Sequence, residues 1–189
     1  MRKTVIVISV LIFSLISVKA SAQTSTFTKG DNVLGIGLGL GGNLDYGYDY
    51  RRDINRIPFI FGSYELCIID NLFDAKSSIG VGGQFGYCSA RYRWSEDYGW
   101  KNSILHFGAK GAFHYAPVKN LDTYAGVLIG LNIHRYKYRK GYQGSEIDGD
   151  WLGYGIFIGA RYYFAPSVAV FAEVGHGISN FNMGIAFKF

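Results

Sequence analysis

Proline is scarce in this sequence, at three residues in 189, and after the N-terminal leader there is no low-complexity linker, block of like charge or second hydrophobic stretch of helix-spanning length. A proline-rich hinge, a second domain and a series of spanning helices are therefore not expected. Net charge is also small. The leader carries Arg2, Lys3 and Lys19 but no acid, so the formal charge of +5 falls to +2 without it. No basic stripe remains for a polyanion such as DNA or RNA, and nucleic acid is not an expected partner.

What is present begins with that leader. Met1, Arg2 and Lys3 precede an apolar stretch over 5–18, broken only by Ser9, Ser14 and Ser17, and then Ala20-Ser21-Ala22. This reads as a signal peptide, 1–22, cleaved after Ala22. No cysteine follows, so a lipid anchor is not indicated. Residues 23–32 are read as a short periplasmic segment and 33–189 as a single domain. Its 26 Gly, 15 Tyr and 14 Phe suit closely spaced strands.

From Val33 onward the chain separates into eight segments of period two, about 33–44, 56–68, 77–92, 103–116, 123–136, 151–164, 168–175 and 180–189. In each, one alternate set is apolar and the other glycine, small or polar. Leu34, Ile36, Leu38 and Leu40 alternate with Gly35, Gly37 and Gly39, and Leu152, Tyr154, Ile156 and Ile158 with Gly153, Gly155 and Gly159. Most segments are long enough for a tilted strand of about 9–11 residues to cross a hydrocarbon layer. Polar, tyrosine-rich connections (45–55, 93–102, 137–150) alternate with shorter ones (69–76, 117–122, 165–167). An even strand count closes without an unpaired edge. The expected fold is all-β, an eight-stranded antiparallel transmembrane β-barrel with periplasmic termini.

The last nine residues place Phe181, Met183, Ile185, Phe187 and Phe189 at every second position and end on an aromatic. This resembles the C-terminal signal that the barrel-assembly machinery reads. With the leader and eight strands, the chain resembles the small outer-membrane barrels that include OmpX and the membrane domain of OmpA. The Gly-rich first strand and the run Ala160 to Phe164 are reminiscent of Bacteroidota members. The resemblance implies an exported, monomeric outer-membrane protein in contact with lipid and lipopolysaccharide, and it transfers location better than activity.

Glu65, Lys110, Arg161, Glu173 and Lys188 fall on the inward set, with Gln84, His106, His114, Asn132 and His134 beside them. Because an eight-stranded barrel is just wide enough for side chains, a paired network filling the lumen is expected rather than an ion path. Phe164 opposite Val168 would put Glu173 opposite Gly159, within reach of Arg161 or Lys110. The histidines lack metal-ligand spacing, and neither metal nor cofactor is expected. Cys67 and Cys88 lie toward opposite ends of one hairpin and are expected to be free thiols.

Glu173, His176, Ser179 and Asn180 resemble the His-x-Ser-Asn and Glu site of PagL-type lipid A deacylases, but here the spacing is His-x-x-Ser, which turns the two side chains to opposite faces of a strand. No catalytic residue is assigned. Tyr48, Tyr50, Arg51, Arg52, Trp94, Trp100, Tyr138 and Arg139 fall in or beside the long connections and are candidates for contacting a surface ligand, since Tyr, Trp and Arg are enriched in binding hot spots. The expected role is non-enzymatic, membrane-structural or surface-interacting in adhesion, host contact or defence. The alternatives are a lipid A-modifying enzyme and a narrow ion channel.

Overall fold

A computed structural model describes residues 26–42, 53–93, 99–138 and 149–189, with backbone only at 53, 54, 92, 93, 99, 100, 138 and 149. The strands are β1 (Asn32–Leu40), β2 (Asp53–Asp70), β3 (Ser77–Arg93), β4 (Gly99–Val118), β5 (Leu121–Tyr138), β6 (Gly149–Ala165), β7 (Val168–His176) and β8 (Phe181–Lys188). Each pairs antiparallel with the next, and β1 pairs with β8 from Val33↔Lys188 to Leu40↔Phe181, so the sheet is a closed barrel. Asn32 and Phe189 exchange backbone hydrogen bonds of 2.9 Å, which carries the seam to the last residue.

The two faces follow the pleat. Leu34, Ile36, Leu38, Phe85, Phe107, Ile129, Leu131, Ile156, Ile158, Val170, Met183 and Ile185 are exposed outward, while Gly35, Gly37 and Gly39 face inward and are buried. A continuous belt of exposed apolar side chains is a surface for lipid rather than for water. A cavity of about 490 Å³ is a trough in this belt over Thr123, Ala125 and Ala172, not a chamber in the lumen.

Strand lengths are unequal. The strands β2 to β6 have 17 to 20 residues, whereas β1, β7 and β8 have 8 or 9. At the end away from the termini, β2 runs six residues past Phe59, the last partner of β1, and β6 runs seven past Ile156, the partner of His176. Among the described residues, a five-stranded wall therefore runs past the remaining rim by about 20 Å measured along the tilted strands.

Two expectations need correction. The β4–β5 connection is two residues, not six, because Asn120 takes a left-handed φ of 65° that closes a tight turn and lets Leu121 and Asp122 join β5. Asp122 thus faces the lumen. Phe164 does not stand opposite Val168; Ala165 does, and Phe164 is the extra residue of a bulge. That bulge offsets the shorter turn, so Gly159 still faces Glu173.

Residues 26–31 pack against the terminal end of the barrel. Gly30 donates to the Cys67 carbonyl at 3.1 Å, Cys67 N–H donates to the Asp31 carbonyl at 3.0 Å, and Phe27, fully buried, enters the barrel mouth. Its ring lies 4.6 Å from that of His114 and 5.8 Å from the Arg161 guanidinium. Phe27→Ala is expected to lower the unfolding free energy in urea by about 3 kcal/mol, because a filled site becomes a cavity above buried charges. An unchanged midpoint would show that this mouth is not sealed by the side chain.

Candidate functional site

Two regions concentrate polar chemistry, the lumen and the tall wall. In the lumen, glycines on one strand make room for long side chains from the next. A Cβ at Gly37 would stand 2.6 Å from the Phe61 ring, and one at Gly159 would stand 2.7 Å from the Tyr124 ring. The interior therefore packs by pairing glycine with large residues rather than by intermediate ones.

Toward the terminal end lies an ionic layer. Arg161 donates to Glu65 Oε2 at 2.8 Å and to Asp122 Oδ2 at 3.4 Å. Between the same two carboxylates stands His114, with Nε2 2.9 Å from Glu65 Oε1 and Nδ1 3.0 Å from both Asp122 oxygens. A carboxylate only accepts, so for both contacts to be hydrogen bonds each ring nitrogen must carry a proton, and His114 is a cation in this arrangement. Two acids thus face two bases, capped by Phe27.

The next layer is centred on Glu173. Lys110 Nζ donates to Glu173 Oε1 at 2.7 Å and Tyr124 donates to the same oxygen at 2.9 Å. Asn182 Nδ2 reaches Glu173 Oε2 at 3.5 Å, and Ser179 Oγ donates to Asn182 Oδ1 at 2.6 Å. The ammonium of Lys110 also lies 4.4 Å from the centre of the Phe157 ring. With Arg161 and His114, the described interior holds three cations against the three carboxylates Glu65, Asp122 and Glu173.

Farther from the termini the filling is aromatic. The rings of Phe59 and Phe61 stack at 5.3 Å, Phe61 meets Phe171 at 6.1 Å, and His106 Nδ1 lies 2.7 Å from Asn132 Oδ1.

The structure thus brings together Glu65 with Arg161, and Lys110 with Glu173. Gln84 is buried beside a small cavity of about 30 Å³ that Lys110, Glu173 and Asn182 also line. Lys188 does not join them. It sits at the terminal mouth, 2.9 Å from the Thr26 carbonyl and 3.6 Å from Asp31, because β8 meets β1 at Val33 and so ends on the rim. Sequence reasoning left Asp122, Tyr124 and Phe27 out of the network. Asp122 and Tyr124 were detectable in principle from the alternation Asp122, Tyr124, Gly126 continuing below Thr123.

The thiols of Cys67 and Cys88 are free and buried; Cys67 pairs with Gly80 and Cys88 with Ile104, eight residues apart along β3. Phe181, Met183, Ile185 and Phe187 point to the lipid side of β8, with Phe189 beyond them. The Ser179 hydroxyl is engaged with Asn182, whereas His176 is exposed on the outer side with its ring 6.5 Å from that of Tyr154. The serine and histidine therefore do not form a nucleophile-base pair.

At the opposite end, Trp100 and Tyr138 stand opposite each other where β4 and β5 climb into the wall. Tyr48, Tyr50, Arg51, Arg52, Trp94 and Arg139 lie outside the described residues.

No family model and no curated protein matches the chain. Solved structures do. The chain is similar to Ail, the attachment invasion locus protein of Yersinia pestis, at 10% identity and a TM-score of 0.54, over 86% of this chain and 100% of that one. A second structure of Ail, in complex with the heparin analogue sucrose octasulfate, gives 11% identity, a TM-score of 0.56 and the same coverage. The outer membrane protein OprG from Pseudomonas aeruginosa aligns at 10% identity and a TM-score of 0.41, over 87% of this chain and 99% of that one. The chain has the fold of the small eight-stranded outer-membrane barrels.

Proposed function

We propose that the protein works in the outer membrane as a non-enzymatic surface-contact barrel, with its wall and long connections outside the cell and both termini in the periplasm. The observation that carries this reading is the five-stranded wall. A span of lipid needs about 9–11 residues per strand, and β2 to β6 exceed it by several turns of the pleat while the rest of the rim does not. The excess does nothing for anchoring. It lifts a sheet into solvent whose edges at β2 and β6 have no ladder partner among the described residues, a surface suited to meeting another molecule. The similarity to an attachment protein is of the same kind, since that fold presents its loops outward.

Cells carrying the full-length protein are expected to be retained several-fold better than vector controls on epithelial monolayers. Replacing residues 43–52, 94–98 and 139–148 by short turns should abolish the difference while leaving the barrel folded. Equal retention of vector and wild-type cells would contradict the reading.

The enzymatic alternative predicts something different. With Ser179 bonded to Asn182 and His176 on the outer side, Ser179→Ala is expected to leave the lipid A mass spectrum of expressing cells unchanged. A shift of one acyl chain that depends on Ser179 would revive it.

A further inference from the structure

Residues 26–31 form a strap that closes the terminal mouth with a single large side chain. Phe27 is fully buried there, whereas its companions Thr26, Thr28, Lys29, Gly30 and Asp31 are polar or glycine, and Lys29 and Gly30 are exposed. The backbone hydrogen bonds that tie the strap to β2 fall at Gly30 and Asp31, next to the point where the chain enters β1. Phe27 therefore sits toward the far end of a short lever. The outer fastening is Lys188, which donates to the Thr26 carbonyl at 2.9 Å and lies 3.6 Å from Asp31, with both side chains about a quarter exposed. An ion pair that water reaches holds weakly.

Gly30 is where the lever turns. It has a φ of 95°, a region in which an L side chain is strained, and a Cβ added to it would have nothing within 4 Å. The closed strap thus depends on the torsion at this residue and not on packing around it. Closure also has a cost inside the mouth. Thr26 Oγ1 and Arg161 Nε are buried without a hydrogen-bond partner, and withdrawing Phe27 would return them to water. Opening would not make a through-path, because the rings of Phe59, Phe61 and Phe171 pack against one another farther in.

We propose that residues 26–31 are a hinged lid, pivoting at Gly30 and latched by Lys188, which opens while the barrel stays folded and exposes a blind, water-filled vestibule over the Arg161 and His114 layer. The lid is a local unit of low stability set on a rigid barrel, held by one aromatic anchor and a solvent-facing latch. On the outer-membrane reading the vestibule faces the periplasm, but the lid itself requires only the closed barrel.

The chain carries its own reporters. Cys67 lies under the lid, buried, with Sγ 3.8 Å from the Phe27 carbonyl. Cys88, also buried, lies two residues past Gly86, on the far side of the Phe59 ring that covers that glycine. The full-length mature protein is folded in detergent micelles with one thiol kept, as Cys88→Ser or Cys67→Ser, and its alkylation by iodoacetamide is followed by mass spectrometry. In the folded protein Cys67 is expected to react about a hundredfold more slowly than in the urea-unfolded chain, the ratio that matches the expected cost of truncating Phe27. Urea below the unfolding transition should leave that rate nearly unchanged, since a small opening exposes little surface. Gly30→Ala is expected to speed Cys67 alkylation about tenfold and to leave Cys88 unaffected.

A Cys67 rate that climbs with urea in step with global unfolding overturns the proposal. So does a folded Gly30→Ala protein in which Cys67 reacts no faster, or in which Cys88 is accelerated equally. The urea series needs no change in the strap, so a Gly30→Ala chain that fails to fold leaves the test standing.

Discussion

Glu65→Ala is expected to cost the barrel about 3–5 kcal/mol or to prevent its folding. Glu65 holds Arg161 at 2.8 Å and His114 at 2.9 Å, and both of these cations are buried. Truncation would leave Asp122 alone against two bases, in a layer that Phe27 closes off from the mouth. Urea unfolding in bilayers gives the magnitude, and a tryptophan-fluorescence midpoint equal to wild type would refute the network. Glu65→Gln should be milder, since the amide keeps the hydrogen-bonding shape though not the charge.

The second large effect concerns Lys110 and Glu173, bridged at 2.7 Å. Glu173→Ala strands the Lys110 ammonium against the Phe157 ring and leaves the Tyr124 hydroxyl without its acceptor, again at about 3–5 kcal/mol. Lys110→Met combined with Glu173→Leu should restore most of that loss, because removing both charges leaves neither one desolvated and unpaired. Urea midpoints of wild type, the single variant and the double variant decide the matter. If the double variant is no better than Glu173→Ala, the loss comes from packing or from Tyr124 rather than from an unpaired cation.

The barrel was legible because alternation is a local property. Each strand displays its lipid face at every second residue, and Leu34 to Leu40 or Leu152 to Ile158 need no knowledge of the partner strand to be read. Registers that depend on turn chemistry were less so. The period-two pattern ends at Ala116, yet proline at the last rungs of a strand is tolerated where the ladder is already irregular, and the chain turns at Asn120 instead.

Aromatic residues were the other blind spot. Phe59 and Phe61 point inward, although phenylalanine suits a lipid face equally well, and only the glycines across from them, Gly86 and Gly37, mark their direction. Which cation meets which acid could not be settled by reading along the chain, because Arg161 and Glu65 lie far apart in sequence and meet across the bore. Phe27 has no periodic context at all, so its seat in the mouth emerges only when the barrel is closed. In the wall, Gly99 to Asn102 and Gly149 to Asp150 carry loop-like composition and yet are strand, since their ladders are continued by neighbours rather than by propensity.

The central claim is a closed barrel whose apolar set faces lipid and whose charged set fills the lumen. Single cysteines placed at each position from Ala125 to Leu131 on β5, in a background with Cys67 and Cys88 replaced by serine, can be spin-labelled and reconstituted in bilayers. The account predicts a period of two in oxygen accessibility, high at 125, 127, 129 and 131 and low at 126, 128 and 130, with low water accessibility throughout. A profile without that alternation, or one with its phase reversed, would contradict it.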